Sequence, residues 1–74
     1  MKITYDKEVD AMYIRLLEGK HQVHTVRLTD KIALDFGKKE VLVGIEILDA
    51  SKVIGNGNLP KIILENIPFQ IKAA

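Results

Sequence analysis

The two histidines of this chain, His21 and His24, are the residues best suited to bind a metal. Together with Glu18 they form a Glu-x-x-His-x-x-His series, and imidazole with carboxylate is a suitable ligand set for zinc or another divalent ion. Residues three apart on an extended strand point to opposite faces, so both imidazoles reach one ion only from a loop or a helical turn. The spacing therefore favours two solvent-facing histidines on a hairpin, and we predict neither a metal site nor a cofactor.

Glu46 stands in the middle of an apolar run, where an unpaired carboxylate would be costly to bury. Arg15 or Arg27, on the polar faces of other predicted strands, could form an ion pair with it across a sheet. The favoured interpretation is therefore a structural ion pair, or an exposed position at the edge of a polar face.

A catalytic role for Glu46 is the alternative. A carboxylate in a cleft beside Tyr13, Asp35 or His24 could act as an acid or a base, and two carboxylates on neighbouring strands could share these roles. No residue spacing shows that such groups converge, so the catalytic residues stay unassigned. The candidate polar cluster consists of Tyr13, Arg15, Arg27, Asp35 and Glu46.

The remaining motifs argue against several chemistries. Asp6, Glu8 and Asp10 alternate as in some calcium loops, but the segment lacks the glycine and the downstream glutamate of an EF-hand, which favours a solvated turn. Ser51 is the sole serine and has no nucleophile elbow around it. The chain has no glycine motif for phosphates or dinucleotides and no cysteine, which excludes disulfides and thiolate chemistry.

These candidates must be positioned by strands, and residues 41–48 form the most apolar one. Successive side chains in a strand point to opposite sides. One face carries Val41, Val43, Ile45 and Ile47, and the other carries Leu42, Gly44, Glu46 and Leu48. Because a strand with two largely apolar faces needs cover on both sides, this segment is predicted to lie at the centre of a sheet.

Alternating apolar and polar residues predict four further strands, separated by regularly recurring turn residues. The predicted strands lie within residues 2–5, 11–17, 21–29 and 32–36. Adjacent antiparallel strands need only short connections. We therefore predict an α+β fold built on a single antiparallel β-meander sheet of about five strands.

The C-terminal part differs in character. Residues 49–54 are compatible with one helical turn, and residues 55–58 are the clearest break in the chain. Residues 59–67 fit either a short helix or an extended segment, and either would pack on one face of the sheet. We predict one domain over residues 1–74, with the sheet in 1–51 and a loop and C-terminal segment in 52–74.

The composition is typical of a soluble globular protein, with 74 residues, 47% hydrophobic, 28% charged and a net charge of +1. Acidic and basic residues are interspersed, which argues against nucleic acid as a partner. No apolar run approaches the roughly 20 residues that span a bilayer, and the first residues lack the apolar core of a signal peptide. We therefore expect a cytoplasmic protein that does not associate with membranes.

Two parts of the chain resemble a known family. They are Tyr5-Asp6 with Asp10-Ala11-Met12-Tyr13-Ile14-Arg15-Leu16, and Gly44-Ile45-Glu46-Ile47-Leu48-Asp49-Ala50-Ser51. In order and spacing they are similar to domain-of-unknown-function family 2283, and the tail from Lys52 is not part of the resemblance. The resemblance implies a small stand-alone bacterial or archaeal protein without an established activity, cofactor or catalytic residue. It also implies that some members pair with other small proteins in toxin–antitoxin-like pairs.

The central strand leads to a prediction of self-association. Leu42, Gly44 and Leu48 have no obvious cover in a chain of this length, and a large apolar patch on a small protein generally marks an interface. A two-fold homodimer is the commonest closed assembly. We therefore predict a homodimer with Leu42, Gly44 and Leu48 at its interface.

The predicted function is a non-enzymatic protein-interaction module, one form of which is an antitoxin-like partner of a small protein. The alternative is a small hydrolase or a divalent-metal-binding protein that uses Glu46, His21 or His24.

Overall fold

Residues 1–66 are described by a computed structural model, and they form one antiparallel sheet of five strands. The strands are β1 (Lys2–Asp6), β2 (Ala11–Arg15), β3 (His24–Arg27), β4 (Ile32–Phe36) and β5 (Leu42–Ile47). A short 3-10 turn (Lys38–Glu40) precedes β5, and a one-turn helix, α1 (Ala50–Val53), follows it. The prediction of five antiparallel strands and one helical turn is confirmed.

Strand β5 lies in the middle of the sheet, whose order is β1-β2-β5-β4-β3. The central position of this strand is confirmed, but the predicted meander is wrong, because β2 pairs with β5 and not with β3. The chain forms two hairpins, β1-β2 and β3-β4, and then inserts its last strand between them. The physical reason is burial, since β5 has the most apolar sequence and a central strand is paired along both edges.

Side-chain oxygens hold the turns of both hairpins. Asp6 Oδ1 accepts a hydrogen bond from the Glu8 N–H group at 3.0 Å. Thr29 Oγ1 accepts hydrogen bonds from the N–H groups of Lys31 and Ile32, also at 3.0 Å. Because turn geometry sets the register of a hairpin, these bonds help to determine which side chains share a face.

One face of the sheet is apolar, and a line of aliphatic residues crosses its middle. Ile3 pairs with Ile14, Ile14 with Ile45, Ile45 with Leu34, and Leu34 with Val26. We call these five residues the aliphatic row. Its ends, Ile3 and Val26, are 39% and 41% exposed, and the three inner residues are half-buried.

Cover on the apolar face is concentrated at one end of the sheet. Ala50 of α1 is fully buried and forms a cluster with Met12 and Ile47, against which Leu59 also packs. Among the described residues, the buried apolar side chains are Met12, Ala33, Val43, Ile47 and Ala50. Two of these are alanines, so the hydrophobic core of this part of the chain is thin.

Residues 59–66 form neither a helix nor a strand. Of the two predicted alternatives, the helix is therefore not observed over this part of the chain, and residue 67 lies outside the described residues. Residues 62–64 are 59%, 63% and 61% exposed, and a helix of this length is unstable in water unless it buries an apolar face. Leu59 packs against the Met12–Ile47–Ala50 cluster. No helix in residues 1–66 is long and apolar enough to cross a membrane.

Candidate functional site

The predicted polar cluster lies on the face opposite the aliphatic row. Register pairs connect its members across β2, β5, β4 and β3, and directly paired residues share a face of the sheet. The residues on this polar face include Tyr13, Arg15, Arg27, Asp35 and Glu46. Alternation along each strand, which is a property of the sequence, is sufficient to place them together.

A hydrogen bond spans the polar face from β2 to β4. Tyr13 Oη donates to Asp35 Oδ2 at 2.8 Å, and Thr25 Oγ1 donates to Asp35 Oδ1 at 2.6 Å. The phenol crosses above Gly44 on the intervening strand, where an added Cβ atom would lie 2.9 Å from Tyr13 Cε2 and closer still to the phenol oxygen. The absence of a side chain at position 44 is therefore a steric requirement of this bridge.

The environment of Tyr13 keeps its phenol protonated. Burial raises the pKa of Tyr13 above its ordinary value of 10.0, and the hydrogen bond to the Asp35 carboxylate raises the pKa further. A protonated phenol donates one hydrogen bond, and this one is directed at Asp35. Tyr13 therefore acts as a structural donor at neutral pH.

An ion pair forms a second bridge on the polar face. Arg27 Nη2 lies 3.2 Å from Glu46 Oε1. The register places Ala33 on β4, directly between Arg27 on β3 and Glu46 on β5. Ala33 is only 2% exposed. Because the paired side chains remain 49% and 43% exposed, water screens their attraction and the pair adds little stability. Its main effect is to cover Ala33.

Arg15 shares the polar face but points toward its border. Its guanidinium donates a hydrogen bond to the backbone carbonyl of Gly19, in the connection between β2 and β3. Gly19 has a φ of 89°, a conformation that glycine adopts without steric cost. Of the two arginines predicted as partners of Glu46, Arg27 is the one in contact with it.

The polar face offers little acid–base chemistry. Asp35 pairs with Gly44, and Glu46 pairs with Ala33, so the two carboxylates are diagonal neighbours and not directly opposite each other. Both oxygens of Asp35 accept hydrogen bonds from hydroxyls, and Glu46 is held by Arg27. The donors and acceptors of this face satisfy one another, which is the arrangement of a structural network.

The two histidines are separated from Glu46. His21 Nε2 lies 2.5 Å from the Glu18 carbonyl oxygen, and His24 stacks on Phe36 with ring centroids 5.7 Å apart. His24 is in register with Phe36 on the apolar side, so the sheet lies between its imidazole and the Glu46 carboxylate. Within residues 1–66, no three His, Asp or Glu side chains are grouped as metal ligands.

A second polar site, centred on Asp10, was missed by the sequence analysis. The Asp10 carboxylate accepts hydrogen bonds from Ser51 Oγ at 2.7 Å, from Tyr5 Oη at 2.7 Å and from the Ser51 N–H group at 3.1 Å. Its backbone carbonyl accepts a hydrogen bond from the Ala50 N–H group at 2.8 Å. The hydrogen bonds from Ser51 and Tyr5 lower the pKa of Asp10 below its ordinary 3.8. Asp10 thus fastens the first hairpin to α1.

One signal for this site was present in the sequence. Asp10 and Ser51 both stand in the segments that carry the family resemblance. Asp10 also has a φ of 53°, a left-handed conformation that aspartate tolerates better than most residues. The partners are 41 positions apart, so only the folded chain shows that they meet.

The predicted interface residues do not form an uncovered surface. Gly44 is buried beneath the Tyr13 phenol, and Leu42 and Leu48 are half-buried at the two ends of the β5 region. The Tyr13 phenol therefore lies over the centre of this face, and the predicted interface stays a prediction.

Comparison with known proteins identifies a family. No curated protein and no solved structure matches this chain. A family model described as "Protein of unknown function (DUF2283)" matches residues 2–51, from β1 into α1. The match includes every strand of the sheet and both residues that fasten α1 to the first hairpin. More than half of the chain is covered, and the predicted resemblance is confirmed: this chain belongs to the DUF2283 family of proteins of unknown function.

Proposed function

We propose that this protein is a non-enzymatic protein-interaction module that binds through the apolar face of its sheet. The observation that carries the proposal is the aliphatic row, which crosses all five strands and is left partly exposed by the described residues. Aliphatic patches of this extent on small proteins generally mark interaction sites. A thin core supports the same conclusion, because a chain of this size gains little stability from its own burial.

The polar face supports a binding role by contrast. Hydrogen bonds join Tyr13 and Thr25 to Asp35, and an ion pair joins Arg27 to Glu46. These contacts favour a structural network over the acid–base pair that hydrolysis needs. His24 lies across the sheet from Glu46, which separates the groups on which a hydrolase or metal site was predicted to depend. An antitoxin-like role, in which a small protein occupies the apolar face, is one form of the proposal.

The test is to disturb the apolar face without disturbing the polar one. Tagged full-length protein is purified from its natural host, and native mass spectrometry determines the composition of any complex. We expect a complex of defined stoichiometry with the wild-type chain and its loss in Val26→Lys, because a lysine at this edge position places a charge against the apolar contact. Thr4→Lys, on an exposed edge position of the polar face, is the matched control.

Circular dichroism must first show that both variants keep the strand signal of the wild-type chain. A wild-type chain that is monomeric in every preparation contradicts the proposal. So does a complex that Val26→Lys leaves intact, because binding would then use another surface.

A further inference from the structure

The aliphatic row matches itself under a half-turn. Ile45 lies at its centre on the central strand, with two aliphatic residues on each side. A rotation that reverses the row exchanges Ile3 with Val26 and Ile14 with Leu34, while Ile45 keeps its place. Every exchange sets one branched aliphatic side chain against another, so two such rows can face each other without a polar mismatch.

The flanking positions of this face are also almost free of charge. The register adds Tyr5, Met12, Ile47 and Ile32 on one side of the row, and Phe36 and His24 on the other. In a two-fold contact, residues on the axis meet their own copies and all others meet different residues of the partner. A face without charged residues therefore brings no like charges together, whichever residues meet. The apolar face therefore has the composition that self-contact requires.

The size of the face is near that of a standard interface. Five strands about 4.8 Å apart and five residues of about 3.4 Å each give a face of roughly 24 by 17 Å, or about 400 Å² in projection. The relief of the side chains raises the accessible area above this projection, toward the roughly 800 Å² per partner that stable interfaces bury. A second sheet could cover the part of the face that α1 and Leu59 leave exposed.

We propose that a second copy of this chain covers the apolar face. The two sheets pack face to face about a two-fold axis that lies between them and passes over Ile45. This inference rests on the proposed function and names its partner. At the sheet separation of about 10 Å that is usual for such packing, each aliphatic row interdigitates with the other, and the two Ile45 side chains meet at the axis.

The described part of the C-terminal segment leaves room for this packing. Leu59 contacts the Met12–Ile47–Ala50 cluster at one end of the sheet, and residues 62–64 are largely exposed. Ile14 and Ile45 of the aliphatic row pack against the same cluster, but the three inner residues of the row stay only half-buried. The second copy would therefore complete a cover that the described residues leave partial.

The test uses the full-length wild-type chain. Sedimentation equilibrium at high micromolar concentration is expected to give twice the mass of one chain. An equal mixture of methyl-labelled and unlabelled chains then reports contacts between copies in an isotope-filtered NOE experiment. We expect intermolecular NOEs at the Ile45, Ile14 and Leu34 methyl groups and none at the methyl group of Thr25, which lies on the polar face.

Two variants on one edge strand provide a matched pair. Ile3 and Thr4 are adjacent in β1, both are exposed, and they point to opposite faces. Ile3→Lys is expected to raise the dimer dissociation constant at least tenfold, because it places a charge in the apolar contact. Thr4→Lys is expected to leave the constant within about twofold of the wild-type value.

The outcomes separate this inference from the proposed function. If the chain is a monomer that binds a different protein through the aliphatic row, the proposed homodimer is contradicted, but the proposed interaction function is not. A monomer whose row methyl groups show NOEs to residues 67–74 of the same chain overturns both. A dimer with intermolecular NOEs on the polar face and none at Ile45 also overturns the proposed packing.

Discussion

The two faces of this sheet are protected from water in opposite ways. On the polar face, Tyr13 reaches Asp35 above Gly44, and the pair of Arg27 with Glu46 covers an alanine. On the apolar face, the aliphatic side chains lie side by side and cannot form hydrogen bonds or ion pairs across an intervening strand. The first face is bridged by its own side chains, and the aliphatic row of the second is left partly exposed by the described residues.

The difference shows what a single-layer sheet can do by itself. Long polar side chains can bridge two strands when the residue between them is small, and glycine and alanine hold those positions here. Aliphatic side chains on the apolar face stabilise the fold only when their apolar surface area is buried away from water. Such residues bury their remaining exposed area only against a further layer.

The largest expected effect is that of Ile45→Ala at the centre of the apolar face. If a second copy covers this residue, the substitution costs about 3 kcal/mol of unfolding free energy, as for other buried isoleucines. The urea midpoint of the wild-type chain should also rise with protein concentration, because association stabilises the folded chain. Urea titrations at two protein concentrations, read by circular dichroism, measure both effects.

Leu28→Ala is the control for Ile45→Ala, because Leu28 is 59% exposed and its loss should change stability by no more than about 0.5 kcal/mol. If both substitutions cost the same and neither depends on concentration, no second layer buries the centre of the aliphatic row.

Gly44→Ala should be the next most destabilising change, because it disrupts the hydrogen bond from Tyr13 to Asp35 that spans the polar face. The added Cβ atom collides with the Tyr13 phenol, which must leave Asp35, and we expect a loss of about 2 kcal/mol. In a Tyr13→Ala background the same substitution should cost little, since the obstacle is gone. Additive losses in this double-mutant cycle would show that the phenol does not set the requirement for glycine.

Tyr13→Phe removes only the hydrogen bond to Asp35 and should cost about 1 kcal/mol. Because burial and the Asp35 carboxylate raise the pKa of Tyr13 in the folded state above its ordinary 10.0, the unfolded chain loses this proton first. The stabilisation is therefore fully present below pH 10 and is lost as the pH rises through the folded pKa. The difference in urea midpoint between wild type and Tyr13→Phe should narrow above pH 10, and a constant difference would contradict this account.

The smallest effect is expected for the ion pair on the polar face. Arg27→Met combined with Glu46→Gln in a double-mutant cycle should give a coupling of about 0.5 kcal/mol that decreases with added salt. A coupling above about 2 kcal/mol would mean that the pair is far less hydrated than its exposure indicates. Chemical denaturation at low and high salt measures the coupling.

Much of this description was accessible from periodicity. Alternation predicted the five strands and the central position of residues 41–48. It made Tyr13, Asp35 and Glu46 candidates for one polar cluster without showing that they converge. It also named Arg27 as one of two candidates for the contact with Glu46. Side-chain direction repeats every second residue of a strand, so the face on which a residue lies follows from the strand itself, whichever strands pair with it.

Three other predictions depended on which elements become neighbours. The meander was wrong because β5 inserts between the two hairpins. The Tyr13 side chain reaches over β5 at Gly44, a cover that the sequence analysis did not consider, and the interface predicted there stays a prediction. Of the two alternatives for the segment from residue 59, the helix does not form over residues 59–66, since these residues bury no continuous apolar face.

The sequence by itself determined the strands, their polar and apolar sides and the family, because each is carried by local pattern. Only the tertiary structure decided the strand order, the bridge above Gly44 and the fastening of Ser51 to Asp10. The reason is that contacts between distant residues depend on which arrangement buries the most apolar area for the whole chain. No single segment contains that information.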